Sequence, residues 1–355
     1  MRNLASIQEI KSVEPIEGAD RIEKARVLGW NVVVKKGEFK AGDKCVYVEI
    51  DSILPADNPD FAFLEGKRLR TKKLKGVVSQ GICFPLSVLP DSAKKKIGTD
   101  VTDIIGAKKW EPDVNNRPDF NTQKNKKWYM RFRIGRWIYN KFFYKPTAKK
   151  FPTELALKTD ETRVQILEDI LEKYKGTKCF YTEKLDGSSI TIWMDSDKTL
   201  HVCSRNREIF NKEDVFYATA MKYYDRIKML PYGIVLQGEL IGPNIQGNKY
   251  GLKEPEIRFY QAQENKIFYN ELTFQKMTSF FAGLPIVPYL GTVILENDVD
   301  KFIELSKGKS ALANVPREGI VIRPVNQIHE VDKRFVGGRL SFKAINPDFL
   351  LKYNL

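Results

Sequence analysis

"FYTEKLDGSSITIW", residues 180–193, sets a lysine inside an apolar, β-branched run, two residues before an Asp-Gly turn. β-branched and aromatic residues on both sides favour strands, and "DGSS" punctuates them. Lys184 therefore sits at a strand end, either snorkelling into solvent or turning its amine into a cleft. A lysine attacks as a covalent nucleophile only as the free amine. Its unperturbed pKa of about 10.4 leaves under about one molecule in a thousand in that form at neutral pH, a handicap of roughly 4.6 kcal/mol. Nearby cations lower such a pKa. A nucleophilic Lys184 thus demands further basic residues, and metal-binding carboxylates, elsewhere in its domain.

The chain supplies both. "CSRN" (203–206) offers Arg205 on a short strand, and "IVLQGELIG" (234–242) places Glu239 after Gly238 in an apolar run. "REGIVIRP" (317–324) brings Glu318 and Gly319 into another strand, and "RLSFKAIN" (339–346) ends the series with Lys343. Any one of these is ordinarily a solvated strand end; their succession after K-x-D-G is far less ordinary.

Working outward, the first hundred residues read as β-rich. "WNVVVKK" (30–36), "KCVYVEID" (44–51) and "GICFPL" (81–86) are short β-branched runs bounded by Gly, Asp and Pro. Several such strands in so short a length suit a small OB-like barrel over residues 1–105. Within it, "KRLRTKKLKG" (67–76) is either a solvated edge or a phosphate-facing groove. Residues 106–150 form a linker or insertion. The stretch from Gln123 to Lys150 holds ten basic residues, eight aromatics and no acid. That composition suits a nucleic-acid contact, an inward-packing insertion or an interfacial membrane segment. From 151 to 355 helices and strands mix. "TDETRVQILEDILEKYKG" predicts a helix with Thr159 or Asp160 as N-cap, and strands are expected near 188–194, 233–241, 257–263 and 319–323.

Composition bounds the class. The chain has 355 residues, 59 basic against 45 acidic, and a net charge of +14, a balance that favours polyanionic partners. Cys45, Cys83, Cys179 and Cys203 show no C-x-x-C spacing and there are two histidines, so a structural zinc site is not expected and the thiols read as reduced and intracellular. The N-terminus carries no signal-like apolar core. The uncharged run Met277–Leu295 is interrupted by Gly283, Pro285, Pro288 and Gly291, which suits loop and strand better than a membrane span. "GPNIQGNK" (242–249) lacks the Lys-Ser/Thr ending of a phosphate-binding Walker loop and is set aside.

The ordered set K-L-D-G, S-R-N, G-E-L-I-G, E-G-I-V-I-R and S-F-K resembles motifs I, Ia, III, IV and V of covalent nucleotidyltransferases, the superfamily of DNA ligases, RNA ligases and capping enzymes. Twelve residues follow Lys343, too few for a barrel, whereas the barrel candidate comes first. That order is similar to ATP-dependent RNA ligases with an N-terminal OB domain, and "EGADRIEKARVLGWNVVVKKGEFKAGDKCVYVEIDSILP" and "FPTELALKTDETRVQ" resemble the same group. The resemblance implies an α+β fold: an OB-like barrel, then an adenylyltransferase domain of antiparallel sheets with flanking helices.

It also implies roles. Lys184 would attack the α-phosphate of ATP to give lysyl-AMP, AMP would pass to an RNA 5′-phosphate, and a 3′-hydroxyl would displace it. Glu183, Asp186, Arg205, Glu239, Phe259 and Lys343 are the expected nucleotide contacts. Arg205 and Lys343 also assist the chemistry, with Lys343 depressing the pKa of Lys184. Asp186, Glu239 and Glu318 are the expected oxygen donors to Mg²⁺ or Mn²⁺. Arg163 is expected to contact RNA or phosphate, and Phe259, rather than Tyr260, to stack on adenine. RNA is the expected partner, with no membrane and a monomeric chain. One departure stands out: motif V in many RNA ligases reads Lys-x-Lys, and Ser341 holds the first position here. A nearby base, Arg339 or Lys333, would substitute, or the α-phosphate contacts would be fewer. A DNA or mixed-nick ligase, or an inactive nucleic-acid-binding protein on the same fold, are the rival readings.

Overall fold

Alternating burial along a long first strand organises the N-terminal part of the computed structural model, which describes residues 3–110 and 148–355. The basic, aromatic stretch of the expected insertion lies almost wholly outside the described residues. Strand β1 (Ala5–Pro15) pairs with β4 (Lys44–Val48) through its first half and with β2 (Ile22–Val27) through its second. A bulge between Ile10 and Ser12 bends it at the changeover. With β3 (Trp30–Lys35) and β8 (Ile82–Pro85) the sheet order is β3-β2-β1-β4-β8, all antiparallel. The hairpin β6 (Lys72–Leu74) and β7 (Val77–Ser79) leads the chain back to β3. There Val33 N–H donates to Ser79 Oγ (2.9 Å) and Gln80 N–H to the Asn31 carbonyl (2.9 Å), so the sheet curls towards closure. A short pair, β5 (Ser52–Ile53) and β9 (Lys108–Lys109), adds a flap. This is the OB-like barrel expected, and β6 within its basic run is exposed.

Two further sheets build the second part. The larger runs β10 (Ala148–Lys150), β15 (Arg207–Ile209), β14 (Leu200–Cys203), β13 (Ser188–Met194), β16 (Ile234–Ile241), β17 (Glu256–Glu264) and β18 (Ile267–Phe268). The smaller runs β11 (Thr162–Arg163), β21 (Phe342–Ile345), β20 (Gly319–Pro324), β12 (Lys178–Lys184) and β19 (Tyr289–Ile294). Pairing is antiparallel except between β11 and β21. Each sheet covers its own apolar core. Ile190, Ile192, Leu236, Ile257 and Phe259 lie under the larger; Val164, Phe302, Ile320, Ile322 and Phe342 lie under the smaller. β12 and β13 belong to different sheets, so the Asp-Gly turn is a crossover and not a hairpin.

The expected helix starts late. Thr162–Arg163 form β11, residues 164–166 a 3-10 turn, and the α-helix only Glu168–Lys173. Thr159 and Asp160 are not its N-cap, because Asp160 is drawn to cations across the cleft and β11 to β21: tertiary pairing overrides the local signal. In the Met277–Leu295 run the chain makes a π-helical turn over Lys276–Phe281 and then β19. Among the described residues no helix is long and apolar enough to cross a membrane, and all four cysteines are free and buried.

The two parts meet through backbone as well as side chains. Gly29, in the turn between β2 and β3, donates its N–H to the Gln165 carbonyl (2.8 Å). A Cβ at Gly29 would fall 2.8 Å from both Gln165 Cα and Val299 Cγ1. On the helix Pro347–Tyr353, Phe349 packs with Ile50 of the barrel, and Thr71 N–H donates to the Leu355 carbonyl (3.1 Å).

Candidate active site

Strand register assembles the site. Thr182 on β12, Val321 on β20, Lys343 on β21 and Arg163 on β11 are successive partners, so they form one row across the smaller sheet. Lys184 ends β12 two residues further along, opposite Gly319. A Cβ at Gly319 would lie 2.3 Å from the Ala344 carbonyl, so the position admits no side chain. Facing this row from the larger sheet is Glu239, in register with Ser189 and Arg258. The crossover Asp186-Gly187 joins the two sheets, and Gly187 N–H donates to Glu239 Oε1 (3.1 Å). A Cβ on Gly187 would meet the Leu240 carbonyl at 2.4 Å, which accounts for the glycine of K-x-D-G.

Lys184 Nζ lies 2.7 Å from each carboxylate oxygen of Glu318. Burial pulls the amine's pKa down, but Glu318, Glu239 and Asp186 outweigh it and hold it above the ordinary lysine value. The expected depression by Lys343 does not prevail here, because the groups that dominate around the amine are acids. The acids respond in kind. Burial, with Glu318 and Asp186 nearby, pushes Glu239 up to about 8 against the opposing pull of Lys184. Burial raises Glu318 as well, although Lys184 opposes it. Lys343 Nζ donates to Asp160 Oδ1 (3.0 Å), and burial, then Arg163 and Lys184, lower the Lys343 pKa despite that partner. Burial works against Asp160, yet Lys343 and Arg205 hold it below the usual carboxylate range.

The other expected residues fall as follows. Arg205 lies in the turn between β14 and β15, not on a strand, and is half exposed while pairing with Asp160 (3.2 Å). Glu183 is buried beside Lys184; its Oε2 accepts from Ala311 N–H (2.8 Å), and its Oε1 has no hydrogen-bond partner among the described residues. Arg163 is not on an open RNA-facing surface. Its side chain is 11% exposed at the seam with the barrel, 3.3 Å from Asp51 and 5.6 Å from the Trp30 ring centroid. Asp186, Glu239 and Glu318 share the cleft, but among the described residues no three acid, His or Cys side chains converge on one point as a ready metal cage. Asp186 pairs with Lys249 and Glu318 with Lys184.

Phe259 must be corrected. It is fully buried in the core of the larger sheet, edge-on to Tyr223 at 6.0 Å, and cannot reach a base. The reason is a bulge: Gln237 pairs with Gln261 and Gly238 with Phe259, leaving Tyr260 as the extra residue. Tyr260 takes the other face, its hydroxyl 3.0 Å from Thr159 Oγ1 and 3.4 Å from Ser189 Oγ. Ser341 also resolves differently. Neither exposed Lys333 nor Arg339 bonds it; Arg323 Nε donates to its Oγ (3.0 Å) from the neighbouring strand. Arg323 further pairs with Glu161 (3.2 Å) and the Tyr260 carbonyl (3.1 Å), and Arg339 with Gln261 and Glu161.

Lys249 and Tyr250 lie in the loop that lacks the Walker ending, and both meet Asp186. Tyr250 Oη accepts from Asp186 N–H (2.7 Å), and Lys249 pairs with the Asp186 carboxylate beneath the rings of Tyr353 and Phe349. Their signal was a Gly/Asn-rich loop following Glu239, where Asn244, Gln246 and Asn248 all take left-handed backbone.

Comparison with known proteins agrees with this geometry. A family described as RNA ligase matches residues 177–345, and one described as an OB-fold domain matches residues 4–86. No curated protein sequence matches the chain. Among solved structures, the Naegleria gruberi RNA ligase with PPi is similar at TM-score 0.82 and 31% identity, covering 100% of this chain and 99% of that one. Point variants of the same ligase, one with ATP and Mn and one with AMP and Mn, are similar at TM-score 0.79 and 31% identity, each covering 98% of both chains. At 31% identity over essentially the whole length of both chains, and with the family match over residues 177–345, the chain belongs to the RNA ligase family.

Proposed function

We propose that the chain is an ATP-dependent RNA ligase that joins a 3′-hydroxyl to a 5′-phosphate through lysyl-AMP on Lys184 and then an RNA-adenylate. The observation that carries this reading is Lys184 at the floor of a two-sheet cleft, its amine 2.7 Å from Glu318, with Lys343 and Arg163 in the adjoining row. Lys184 Nζ attacks the α-phosphorus, the bond to the β-phosphate oxygen breaks, and pyrophosphate leaves. The amine's proton is lost beforehand to Glu318 or solvent. Lys343, Arg163 and Arg205 offer cations to the phosphate oxygens. Tyr260 supplies the aromatic face from the larger sheet and Val321 the apolar one opposite. The unpaired Glu183 Oε1 suits an amine donor from the base.

Asp186, Glu239 and Glu318 fit a divalent cation: they are hard oxygen donors gathered in one buried cleft, where burial first, and then neighbouring acids, raise Glu239 and Glu318. Mg²⁺ or Mn²⁺ bound there, directly or through water, would supply charge neutralisation at the phosphates and loosen the carboxylates' hold on Lys184. Residues 1–105 are assigned as the OB domain, 106–150 as linker or insertion, and 151–355 as the adenylyltransferase domain. The OB domain would grip the strand presenting the 3′-hydroxyl, on nicked duplex or paired RNA ends, with the enzyme acting as a monomer inside the cell.

Incubation with α-³²P-ATP and Mg²⁺ or Mn²⁺, followed by a denaturing gel, tests this directly. Label on the wild type but not on Lys184→Ala is expected. Absence of label on wild type freed of bound AMP and supplied with no pyrophosphate would sink the reading.

A further inference from the structure

Asp51 follows β4 in the barrel and takes left-handed backbone, φ 69°, without being glycine. Such a backbone is costly for a residue with a Cβ and persists where its surroundings over-determine it. Here they do: its N–H donates to the Leu69 carbonyl (2.9 Å) and its carbonyl accepts from Trp110 N–H (2.7 Å). Among the described residues its carboxylate meets the guanidinium groups of Arg68 and Arg163. Oδ1 accepts from Arg68 Nε and Nη2 at 3.0 and 2.6 Å, and Oδ2 accepts from Arg163 Nη2 at 3.3 Å. Arg68 belongs to the barrel's basic run and lies 3.9 Å over the Trp110 ring; Arg163 belongs to the other domain. Both arginine side chains are 11% exposed and Asp51 is 22% exposed, so the three charges are largely withdrawn from water. Withdrawing two like charges to one spot is unfavourable unless an acid lies between them.

Arg163 is the register partner of Lys343. Whatever fixes its guanidinium therefore fixes a cation at the edge of the row next to the reacting lysine. We propose that Asp51 is a positioning residue for lysyl-AMP formation: an OB-domain carboxylate that aims Arg163 beside Lys343, making the barrel part of the adenylylation site as well as a grip for RNA. This rests on the adenylyltransferase reading above. Neither Asp51 nor Arg68 touches the substrate; Asp51 acts through Arg163.

The test uses the full chain as wild type, Asp51→Asn, Arg163→Gln, the double variant and Arg68→Gln. Single-turnover labelling with α-³²P-ATP is followed across ATP concentration, with a thermal midpoint for each protein. Asp51→Asn, which keeps the shape, is expected to slow labelling at saturating ATP by about tenfold. The double variant is expected to be no slower than Arg163→Gln alone, since the two residues act as one unit. Arg68→Gln is expected to lower the midpoint while labelling stays within about twofold of wild type. If Asp51→Asn does not fold, Asp51→Glu replaces it, keeping the charge and moving Arg163, with the same loss of rate expected. Additive losses in the double variant, or unchanged labelling in the Asp51 variant beside a labelled wild type, overturn the proposal. No label on wild type overturns the adenylyltransferase reading instead.

Discussion

Lys184 and Glu318 face one another as a closed ion pair, the amine equidistant at 2.7 Å from both carboxylate oxygens. In this arrangement the amine is held in its protonated form, with Glu239 and Asp186 adding to the effect. Chemistry requires that the acids find another cation or take the proton.

Replacing Glu318 by Gln removes the main acidic partner. In protein free of nucleotide and divalent metal, the Lys184 pKa is then expected to fall and its reaction with an amine-acylating reagent at pH 8 to rise several-fold. Peptide mass spectrometry reads this site by site, with Lys175 and Lys178 as exposed internal controls. Equal acylation of Lys184 in both proteins would show that Glu318 does not control the amine.

Phe259 and Tyr260 are expected to separate stability from binding. Phe259→Ala opens a hole in the core of the larger sheet and is expected to cost about 3–5 kcal/mol of folding stability. Tyr260→Ala, on the cleft side, is expected to weaken ATP binding, with KM rising about tenfold, in keeping with the loss of roughly 1–3 kcal/mol of base stacking. Denaturant melts and labelling kinetics measure the two. A Tyr260→Ala protein with unchanged KM would remove this residue from the base site.

Arg323 Nε donates to Ser341 Oγ at 3.0 Å, in a buried group that also holds Arg339 and Glu161. Ser341→Lys forces a third cation into the buried group of Arg323 and Arg339, and a loss of about 3 kcal/mol or more is expected from an uncompensated buried charge. The swap Ser341→Lys with Arg323→Met exchanges one cation for another and is expected to recover most of that loss. Urea midpoints decide. No recovery in the pair would mean that Arg323 is irreplaceable through its bonds to Glu161 and the Tyr260 carbonyl.

His201 lies between Glu208 Oε1 (2.7 Å) and Asp195 Oδ2 (3.1 Å), stacked on Trp193. Burial lowers its pKa, but the two carboxylates outweigh burial and hold it above the ordinary histidine value. A folded pKa above the unfolded one of about 6.5 adds stability that is fully present below that pH and is lost as pH rises through the folded value. Wild type is therefore expected to lose stability towards alkaline pH across that window, and His201→Gln to show a flatter profile. Parallel profiles for the two proteins would rule the histidine out as the source.

What the sequence made legible was the part governed by local pattern. Runs such as "WNVVVKK" and "IVLQGELIG" became strands because β-branched alternation has few other uses, and Lys184, Glu239, Glu318 and Lys343 met because motif order survives folding. What failed depended on register and on distant partners. The bulge that sends Phe259 inward and Tyr260 outward follows from Gly238 across the sheet, not from residues 259–260 themselves. Asp160 carries a good capping signal, yet lysine and arginine from β21 and the β14–β15 turn compete for it and win. Arg323 reaches Ser341 from a neighbouring strand, a relationship invisible along the chain.

Gly29 sets the spacing at the domain seam. With its backbone against Gln165 and no room for even a methyl group, the barrel approaches the other domain as closely as two main chains allow. The contact therefore behaves as a hard stop: main chain meets main chain at Gln165, and the Val299 side chain fills what space is left. A graft of this barrel onto another adenylylating domain would inherit the stop only if the receiving loop offered bare backbone at the place of Gln165.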